Sequence, residues 1–346
     1  MIVCPRQYYE IKHTKRRQQM QFPDSFFEDE VRNGFYVPSL MKRAWAAQLE
    51  ALADISRICA EHNILWFADR GTLLGAVRHG GYIPWDDDLD ICMLRDDYTR
   101  FNLIAKNALP QNYYIPPASI KRAPDRLHTT IWNAQGVCLE KEHLEKYHGF
   151  PYAVGIDIFV LDYIAPDSED EELRVGLAQL VHNAAMSITD ENQNTEEKQE
   201  LVSMIEELLN VTFDRNSSLK EQLFPLLENV LSLYTAEEAD EVAYMPNWIL
   251  GSSWKFPHAC YRDAALLPFE GIRIPVPVLY DTAARIQFGD YEIPFRAGGG
   301  HNYPYFRPQE ELLVNAFEEN PIPFQYRFSA DDLRRNIPAD SITASV

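Results

Sequence analysis

Hydrophobic residues between Leu40 and His62 recur at the spacing of one helix face, with charged residues between them. This period predicts a long amphipathic helix. The next apolar run, Ile64 to Ala68, is short and rich in residues that favour strands, so it predicts a buried strand that ends before Gly71. Thr72 to His79 then predicts a short helix closed by the Gly80-Gly81 pair.

Two later apolar segments carry acidic residues. From Asp88 to Met93 polar and apolar positions alternate, which predicts a strand with one acidic and one apolar face. Asp88 and Asp90 would then point to the same side of that strand. A second strand is expected within Tyr152 to Asp162, where Asp157 is embedded among apolar residues. An acid in such surroundings needs a partner.

The remaining pattern divides the chain into parts. Residues 167–241 are Glu-rich and helical in period, with a predicted loop at 190–194. The last third is aromatic and punctuated by proline, with a predicted strand at Ile272 to Val276 and a loop-rich run from Phe288 to Pro308. We expect an N-terminal arm at 1–39, a catalytic core at 40–165, a helical subdomain at 166–241, a C-terminal substrate-binding part of the same domain at 242–318, and a tail at 319–346.

Composition narrows the class of protein. The chain has 346 residues, of which 46% are hydrophobic, and this is enough to bury a sizeable core. Its formal net charge of -20 argues against nucleic acid as a partner, because proteins that bind nucleic acid carry basic faces. We expect no transmembrane segment and no signal peptide, and the five scattered cysteines predict neither a zinc site nor a disulfide framework. These features predict a cytoplasmic protein.

Four carboxylates lie within five residues, at Asp86, Asp87, Asp88 and Asp90. Like charges this close repel and raise one another's pKa unless a cation neutralises them, so the cluster predicts a bound metal ion. Oxygen ligands favour magnesium, manganese or calcium over zinc. The predicted strand makes Asp88 and Asp90 the working pair and Asp157 the third ligand. Asp86 and Asp87 are expected in the preceding loop, where a supporting role is as compatible with the sequence as direct ligation.

Two alternatives compete with this metal site. An EF-hand calcium loop would place acids at the same intervals, but it needs glycine at its sixth position and usually glutamate at its twelfth. Ile91 and Asp97 stand at those positions, which disfavours a calcium loop. The other alternative is an acidic turn that binds no metal.

The glycine turn at Gly71-Thr72 lies between the predicted strand and the predicted helix. Backbone N–H groups and a hydroxyl in that position can bind an anion. Arg78 and His79 follow on the same helix and would add positive charge, while Gly80-Gly81 allows close approach of the backbone. A metal on one side and these donors on the other would clamp a phosphate.

The run from Gly71 to Ile91 reads Gly-Thr-Leu-Leu-Gly-Ala-Val-Arg-His, then three residues, then Ile-Pro-Trp-Asp-Asp-Asp-Leu-Asp-Ile. It closely resembles the signature of the LicD family, which includes bacterial phosphocholine transferases and, more distantly, the fukutin-type phosphoribitol transferases. The similarity extends over most of residues 40–310, through Arg95-x-Asp97-Tyr98, Ile156 to Phe159, Leu267 to Gly271, and Phe288 to Tyr291.

The resemblance implies an α/β (α+β) fold of the nucleotidyltransferase type, in which helices flank a small mixed sheet. It also implies a transferase that moves a substituted phosphate from a CDP-linked donor onto a glycan hydroxyl, with CMP leaving. The transferred group would be phosphocholine from CDP-choline or a phospho-alditol. By the same resemblance Asp88 and Asp90 become the metal-binding pair, Asp157 the third carboxylate and Gly71-Thr72 the phosphate-contacting turn, with Mg²⁺, or Mn²⁺ in its place, as cofactor.

Two residues depart from the family pattern. Arg70 precedes the glycine turn, where a small residue is expected, and Val160 stands where the family often has proline. The first change bears on how the donor phosphate is seated, and the second on where the strand ends.

The implied acceptor is a glycan or glycolipid precursor of lipopolysaccharide or teichoic acid, reached by peripheral membrane contact if it is lipid-linked. A choline head group would favour aromatic neighbours. Candidates are Trp254, Tyr261, Tyr303 and Tyr305, with ordinary packing as the alternative for each. His301 and Arg296 are candidate phosphate contacts, with a structural or solvent-facing role as the alternative. Two other functions stay open: a nucleotidyltransferase that moves a nucleoside monophosphate onto a sugar phosphate, and a catalytically silent glycan-binding or regulatory protein.

Overall fold

A computed structural model describes residues 19–116, 127–294 and 303–316 of the chain. Its strands are β1 (Glu30–Arg32), β2 (Phe35–Val37), β3 (Phe67–Ala68), β4 (Asp90–Leu94), β5 (Thr129–Trp132), β6 (Gly155–Tyr163), β7 (Glu241–Ala243), β8 (Phe256–Pro257), β9 (Ala264–Phe269) and β10 (Ile272–Pro277). Its helices are α1 (Ser39–Glu61), α2 (Arg70–Leu74, continued by the π-helical turn Gly75–His79), α3 (Arg95–Ala108), α4 (Lys141–Lys146), α5 (Ser168–Ser187), α6 (Glu196–Leu209), α7 (Leu219–Leu231), α8 (Met245–Trp248), α9 (Tyr280–Phe288) and α10 (Arg307–Ala316).

The main sheet is mixed, as expected for an α+β fold. Its strand order is β3-β4-β6-β7-β8, with β5 paired to β6 as well. Strands β4 and β6 run parallel, and every other pairing in this sheet is antiparallel. Parallel neighbours need a long crossover, here the chain from α3 to β5 and beyond. The central pair therefore brings together two segments that are distant in sequence.

Helix α1 confirms the long amphipathic helix predicted from Leu40 to His62, and it packs into the main core. Trp45 is fully buried there, and its ring stacks on that of Tyr82 with centroids 4.6 Å apart. The Tyr82 hydroxyl donates to Gln48 Oε1 at 2.8 Å. These contacts tie the middle of α1 to the chain that leads into the acidic cluster.

Two strand predictions need correction. The strand expected from Ile64 is limited to β3, and the strand expected from Asp88 begins only at Asp90. Asp90 and Cys92 are both buried, as is Ile91 between them, so neither face of β4 is open to solvent there. The start of β4 is set by Thr72, whose Oγ1 accepts a hydrogen bond from the Asp90 backbone N at 2.8 Å.

Helices α5, α6 and α7 enclose a second apolar core formed by residues between Ile164 and Ile249. The loop predicted at 190–194 is confirmed, because it lies between the end of α5 and the start of α6. Arg95 links this part to the main sheet through hydrogen bonds to Asp162 and, at 2.8 Å, to Glu228 on α7. No helix within the described residues has both the length and the apolar character that a bilayer crossing requires.

Strands β9 and β10 form a hairpin, and β10 confirms the strand predicted at Ile272 to Val276. Its turn, Glu270-Gly271, has two positive φ angles, 45° and 80°, as a two-residue hairpin of this kind requires. Glu270 docks on the glycine pair after α2: its backbone N donates to Gly80 O at 3.0 Å, and a Cβ on Gly81 would overlap its carboxylate. The resemblance at Leu267 to Gly271 thus covers a turn that supports the end of α2.

Candidate carboxylate site

Asp90 and Asp157 occupy matched positions on the two parallel strands. They are Cα partners in the β4–β6 register, so their side chains project from the same face of the sheet. Asp90 is only 8% exposed, whereas the Asp157 side chain is 36% exposed. The sequence predicted that Asp157, distant along the chain, would lie beside Asp90. The pairing of β4 with β6 brings these two residues side by side.

The loop before β4 adds three more acids. Asp86, Asp87 and Asp88 each offer a carboxylate oxygen, and these oxygens lie within 4.8 Å of one another. Helix α1 holds the loop from behind, because Trp45 Nε1 donates to Asp86 O at 3.2 Å and Gln48 Nε2 donates to Asp87 O at 2.7 Å. Side chains of α1 thus bind the backbone carbonyls of Asp86 and Asp87. Asp88 belongs to the same loop, because β4 begins only at Asp90.

Asp87 is the most buried of the three loop acids, with 1% exposure. Its Oδ2 accepts a hydrogen bond from the Tyr305 backbone N at 2.6 Å. Asp86 and Asp88 are half-buried. The Asp87 carboxylate therefore anchors the segment that leads into α10. Asp86 and Asp88, which are more exposed, are better placed than Asp87 to bind a metal ion.

The glycine turn has a steric role at this site. A Cβ on Gly71 would overlap the Asp86 carboxylate, so only glycine lets Asp86 approach α2. Thr72 is 3% exposed and its hydroxyl oxygen is bound by the Asp90 backbone N. Both residues thus position carboxylates, and their contact with a substrate phosphate stays a prediction.

The acids perturb one another electrostatically. Burial raises the pKa of Asp90 well above its ordinary value, and the charges of Asp88 and Asp157 raise it further, while Arg70 opposes the rise. Burial likewise raises the pKa of Asp86, with Asp88 adding to the effect. A divalent cation that prefers oxygen ligands fits this donor set, because it would neutralise carboxylates that are desolvated and mutually repelling.

Three residues near Asp157 were missed by sequence reasoning. Thr130 Oγ1 donates to Asp157 Oδ1 at 2.6 Å, and His128 Nε2 lies 3.5 Å from the same oxygen. His128 Nδ1 and the Tyr244 hydroxyl are hydrogen-bonded at 3.2 Å. The alternation of His128, Thr130 and Trp132 with Thr129 and Ile131 was the available signal for β5, but it does not indicate which strand β5 would join.

Arg78 and His79 lie at the other end of the helical segment that begins with α2. At the usual rise per residue, Arg78 stands about 10 Å along the axis from Gly71. Both residues line a cavity of about 860 Å³ whose lining includes none of the clustered acids. Arg78 donates to Tyr291 O at 3.0 Å and to His79 Nε2 at 2.9 Å. Their predicted contact with a phosphate at the carboxylates stays a prediction.

The C-terminal aromatic candidates occupy different settings. Trp254 is half-buried and lies two residues before β8. Strand β8 pairs with β7, and β7 pairs with the end of β6 that is far from Asp157. Tyr261 is 1% exposed and packs edge-on against Phe67, so the packing alternative holds for it. His301 and Arg296 lie outside the described residues, as does the predicted tail at 319–346.

The fold and the site together define an α+β protein with a carboxylate-lined site on a mixed sheet. Residues 63–126 match the family model described as LicD/FKTN/FKRP, nucleotidyltransferase domain. This segment contains the glycine turn and the acidic cluster. The chain therefore carries a segment that is similar to the LicD proteins.

Two curated relatives are similar over short segments of the chain. Across 53 residues the chain is 52% identical to the lipopolysaccharide cholinephosphotransferase LicD of Haemophilus influenzae, which covers 15% of this chain and 20% of that protein. Across 62 residues it is 44% identical to an uncharacterised protein of Rickettsia typhi, covering 18% of this chain and 19% of that protein. The matched segments therefore span about a fifth of the relatives' lengths.

Proposed function

We propose that this protein is a Mg²⁺-dependent phosphotransferase that moves a substituted phosphate from a CDP-linked donor onto a glycan hydroxyl and releases CMP. The observation that carries the proposal is the register of Asp90 with Asp157 on adjacent parallel strands, beside the loop acids. The name of the Haemophilus influenzae relative supports phosphocholine as the transferred group and lipopolysaccharide as the acceptor class. A phospho-alditol is the other donor group, and a cytoplasmic location is part of the same proposal.

In the reaction, the acceptor oxygen would form a bond to the phosphorus that bears the head group, while the bond from that phosphorus to the CMP oxygen breaks. Asp88, Asp90 and Asp157 would hold the metal, with Asp86 beside them. When bound, Mg²⁺ would neutralise charge on the transferred phosphate and orient it for in-line displacement. Thr130 and His128 would orient Asp157, and its carboxylate, which is more exposed than that of Asp90, would accept the proton of the acceptor hydroxyl.

The test separates donor binding from turnover, because the acceptor is unidentified. Binding of CDP-choline, CDP-ribitol and CDP-glycerol is measured by calorimetry with and without Mg²⁺, and CMP release is followed with a panel of glycan acceptors. We expect Mg²⁺-dependent binding of at least one CDP compound, and CMP release that falls by at least about a hundredfold in Asp90→Asn and Asp157→Asn. Asp96→Asn, at an exposed acid on α3, is the matched control. Wild-type protein that binds no CDP compound would overturn the proposal.

A nucleotidyltransferase activity is the second candidate, favoured by the description of the family model as a nucleotidyltransferase domain. It would use the same carboxylates with a nucleoside triphosphate. Pyrophosphate release from a triphosphate in the presence of a sugar phosphate, with no CMP release from CDP donors, would establish this candidate. Binding of glycan without turnover of either donor class would instead indicate a catalytically silent member of the fold.

A further inference from the structure

Arg70 adopts a backbone conformation that its side chain disfavours. Its φ angle is 47°, in the left-handed region, which is strained for any residue other than glycine. Glycine would occupy this position without strain. Arginine therefore occupies a position where the backbone conformation favours glycine.

The Arg70 guanidinium is rich in unused hydrogen-bond donors. Among the described residues no hydrogen bond reaches it, and its Nε is buried without a partner. Within the described part of the chain the nearest carboxylate oxygen, Asp69 Oδ2, lies 3.9 Å from Nε, beyond hydrogen-bonding distance. The other Asp69 oxygen accepts from Gln287 Nε2 at 2.7 Å. A guanidinium offers five N–H donors, and the 26% of this side chain that is exposed leaves it open to an incoming acceptor.

The position of the guanidinium is defined by aromatic rings. Its central carbon lies 3.9 Å from the Phe159 ring centroid and 5.3 Å from that of Tyr244. The rings of Tyr244 and Phe159 are nearly perpendicular, with centroids 5.1 Å apart, and the two rings form one surface. A planar cation stacked in this way keeps a fixed orientation and loses little entropy when it binds a partner.

This aromatic surface adjoins the carboxylate site. Phe159 follows Asp157 by two positions on β6, so both side chains project from the same face of the sheet. The His128 ring packs on Phe159 with centroids 4.5 Å apart, while its Nε2 lies 3.5 Å from Asp157 Oδ1. Arg70, Phe159, His128 and Asp157 therefore form a continuous surface at which a cation stands beside the acids.

We propose that Arg70 is a substrate-binding residue whose guanidinium binds an anionic phosphate oxygen next to the carboxylate cluster. The identification of that phosphate as part of a CDP donor rests on the proposed function. Oxyanions match the fork of an arginine and form shorter, stronger hydrogen bonds than neutral acceptors do. A bound phosphate would supply the acceptors that the protein does not, and the aromatic surface would exclude water from one side of the contact.

The test compares ligands that differ only in phosphate. Dissociation constants for cytidine, CMP and the preferred CDP donor are measured by calorimetry in the presence of Mg²⁺, for wild type, Arg70→Gly and Arg70→Lys. Inorganic pyrophosphate is the probe that lacks the nucleoside. We expect Arg70→Gly to weaken binding of the phosphate-bearing ligands by about tenfold or more, to leave cytidine unchanged, and to be partly compensated by lysine.

Asn63→Gly is the matched control, because Asn63 also has a positive φ angle, 52°, at an exposed position after α1. Thermal unfolding checks the fold, and Arg70→Gly should unfold at about the wild-type temperature because glycine relieves the backbone. Equal losses for cytidine and CMP, or no loss for any ligand, would overturn the assignment of Arg70. If wild type binds pyrophosphate through Arg70 but no CDP compound, the assignment holds and the proposed donor fails. If CDP donors bind and turn over normally in Arg70→Gly, the proposed function holds and the assignment of Arg70 fails.

Discussion

The missing side chain of Gly71 makes room for the carboxylate of Asp86. A Cβ at position 71 would overlap Asp86 Oδ2, and Trp45 Nε1 donates a hydrogen bond to the Asp86 backbone carbonyl. We expect Gly71→Ala to displace the acidic loop, to lower the free energy of unfolding by about 1–3 kcal/mol and to reduce CMP release far more than the stability loss explains. Denaturant unfolding and initial rates on the same preparation would measure both effects.

Gly176→Ala is the control for that substitution. Gly176 lies inside α5, and a Cβ there would meet nothing within 4 Å. Alanine should therefore stabilise this helix by roughly 0.5–1 kcal/mol and leave turnover unchanged. Wild-type activity in Gly71→Ala would contradict the steric role assigned to the glycine turn.

The helical spacing of apolar residues from Leu40 and the apolar run around Asp157 correctly predicted two elements of the fold that depend on local sequence. The helix from Leu40 is present as α1, and the run around Asp157 is present as β6. The spacing of apolar residues shows which face of a helix or strand is buried. Such elements can therefore be recognised without knowing which other elements they pack against. The resemblance over Gly71 to Ile91 correctly predicted which family model residues 63–126 match.

The errors share a physical cause, which is contact between distant segments. Asp88 was expected on a strand, but α1 side chains hold the loop carbonyls and the Thr72 hydroxyl sets the start of β4 at Asp90. His128 reaches Asp157 only because β5 pairs with β6. Such contacts are made by tertiary packing, and no periodicity around residue 88 or 128 encodes them.

Removal of one clustered acid should change both stability and metal response. Asp90→Asn relieves repulsion from Asp88 and Asp157, so without metal the variant should unfold at or above the wild-type temperature. Added Mg²⁺ should raise the wild-type unfolding temperature, by the equivalent of about 2.7 kcal/mol at a hundredfold excess over its Kd, and should raise that of the variant less. Scanning calorimetry across a Mg²⁺ titration, with Asp96→Asn beside it, measures this. Identical Mg²⁺ responses in all three proteins would argue against a metal at these acids.

The hydroxyl of Thr130 should matter through its hydrogen bond to Asp157 Oδ1. Thr130→Val keeps the shape of the side chain and removes the donor, so we expect kcat to fall by about tenfold with a smaller change in KM. Thr130→Ser restores the hydroxyl and should recover most of the rate. If serine and valine variants behave alike, the threonine contributes packing rather than orientation of the carboxylate.

Arg95 should be the main electrostatic link between the sheet and the helical part. Asp162 has no exposed surface, and Arg95→Met would leave its charge buried without a partner. We expect a loss of about 3–5 kcal/mol in the free energy of unfolding, partly recovered when Asp162→Asn is added. Arg100→Met, which removes a half-exposed pair with Asp97, should change stability by less than about 1 kcal/mol. Equal effects at the two arginines would contradict this difference.

Because His79 stays neutral in the folded protein, we expect the protein to lose stability in mild acid. Burial lowers the pKa of His79 to about 4, with the charges of Arg78 and Arg32 lowering it further. The unfolded chain binds this proton near the ordinary histidine pKa of about 6.5, so between roughly pH 6.5 and pH 4 it holds more protons than the folded protein does. Stability contributed by neutral His79 is thus present above that window and is lost as the pH falls through it. In His79→Gln the decline of unfolding free energy over this range should be shallower than in wild type, whereas replacement of the exposed His62 by glutamine serves as the control. Parallel pH profiles for wild type and His79→Gln, measured by denaturant unfolding, would show that His79 is as easily protonated in the folded protein as in the unfolded chain.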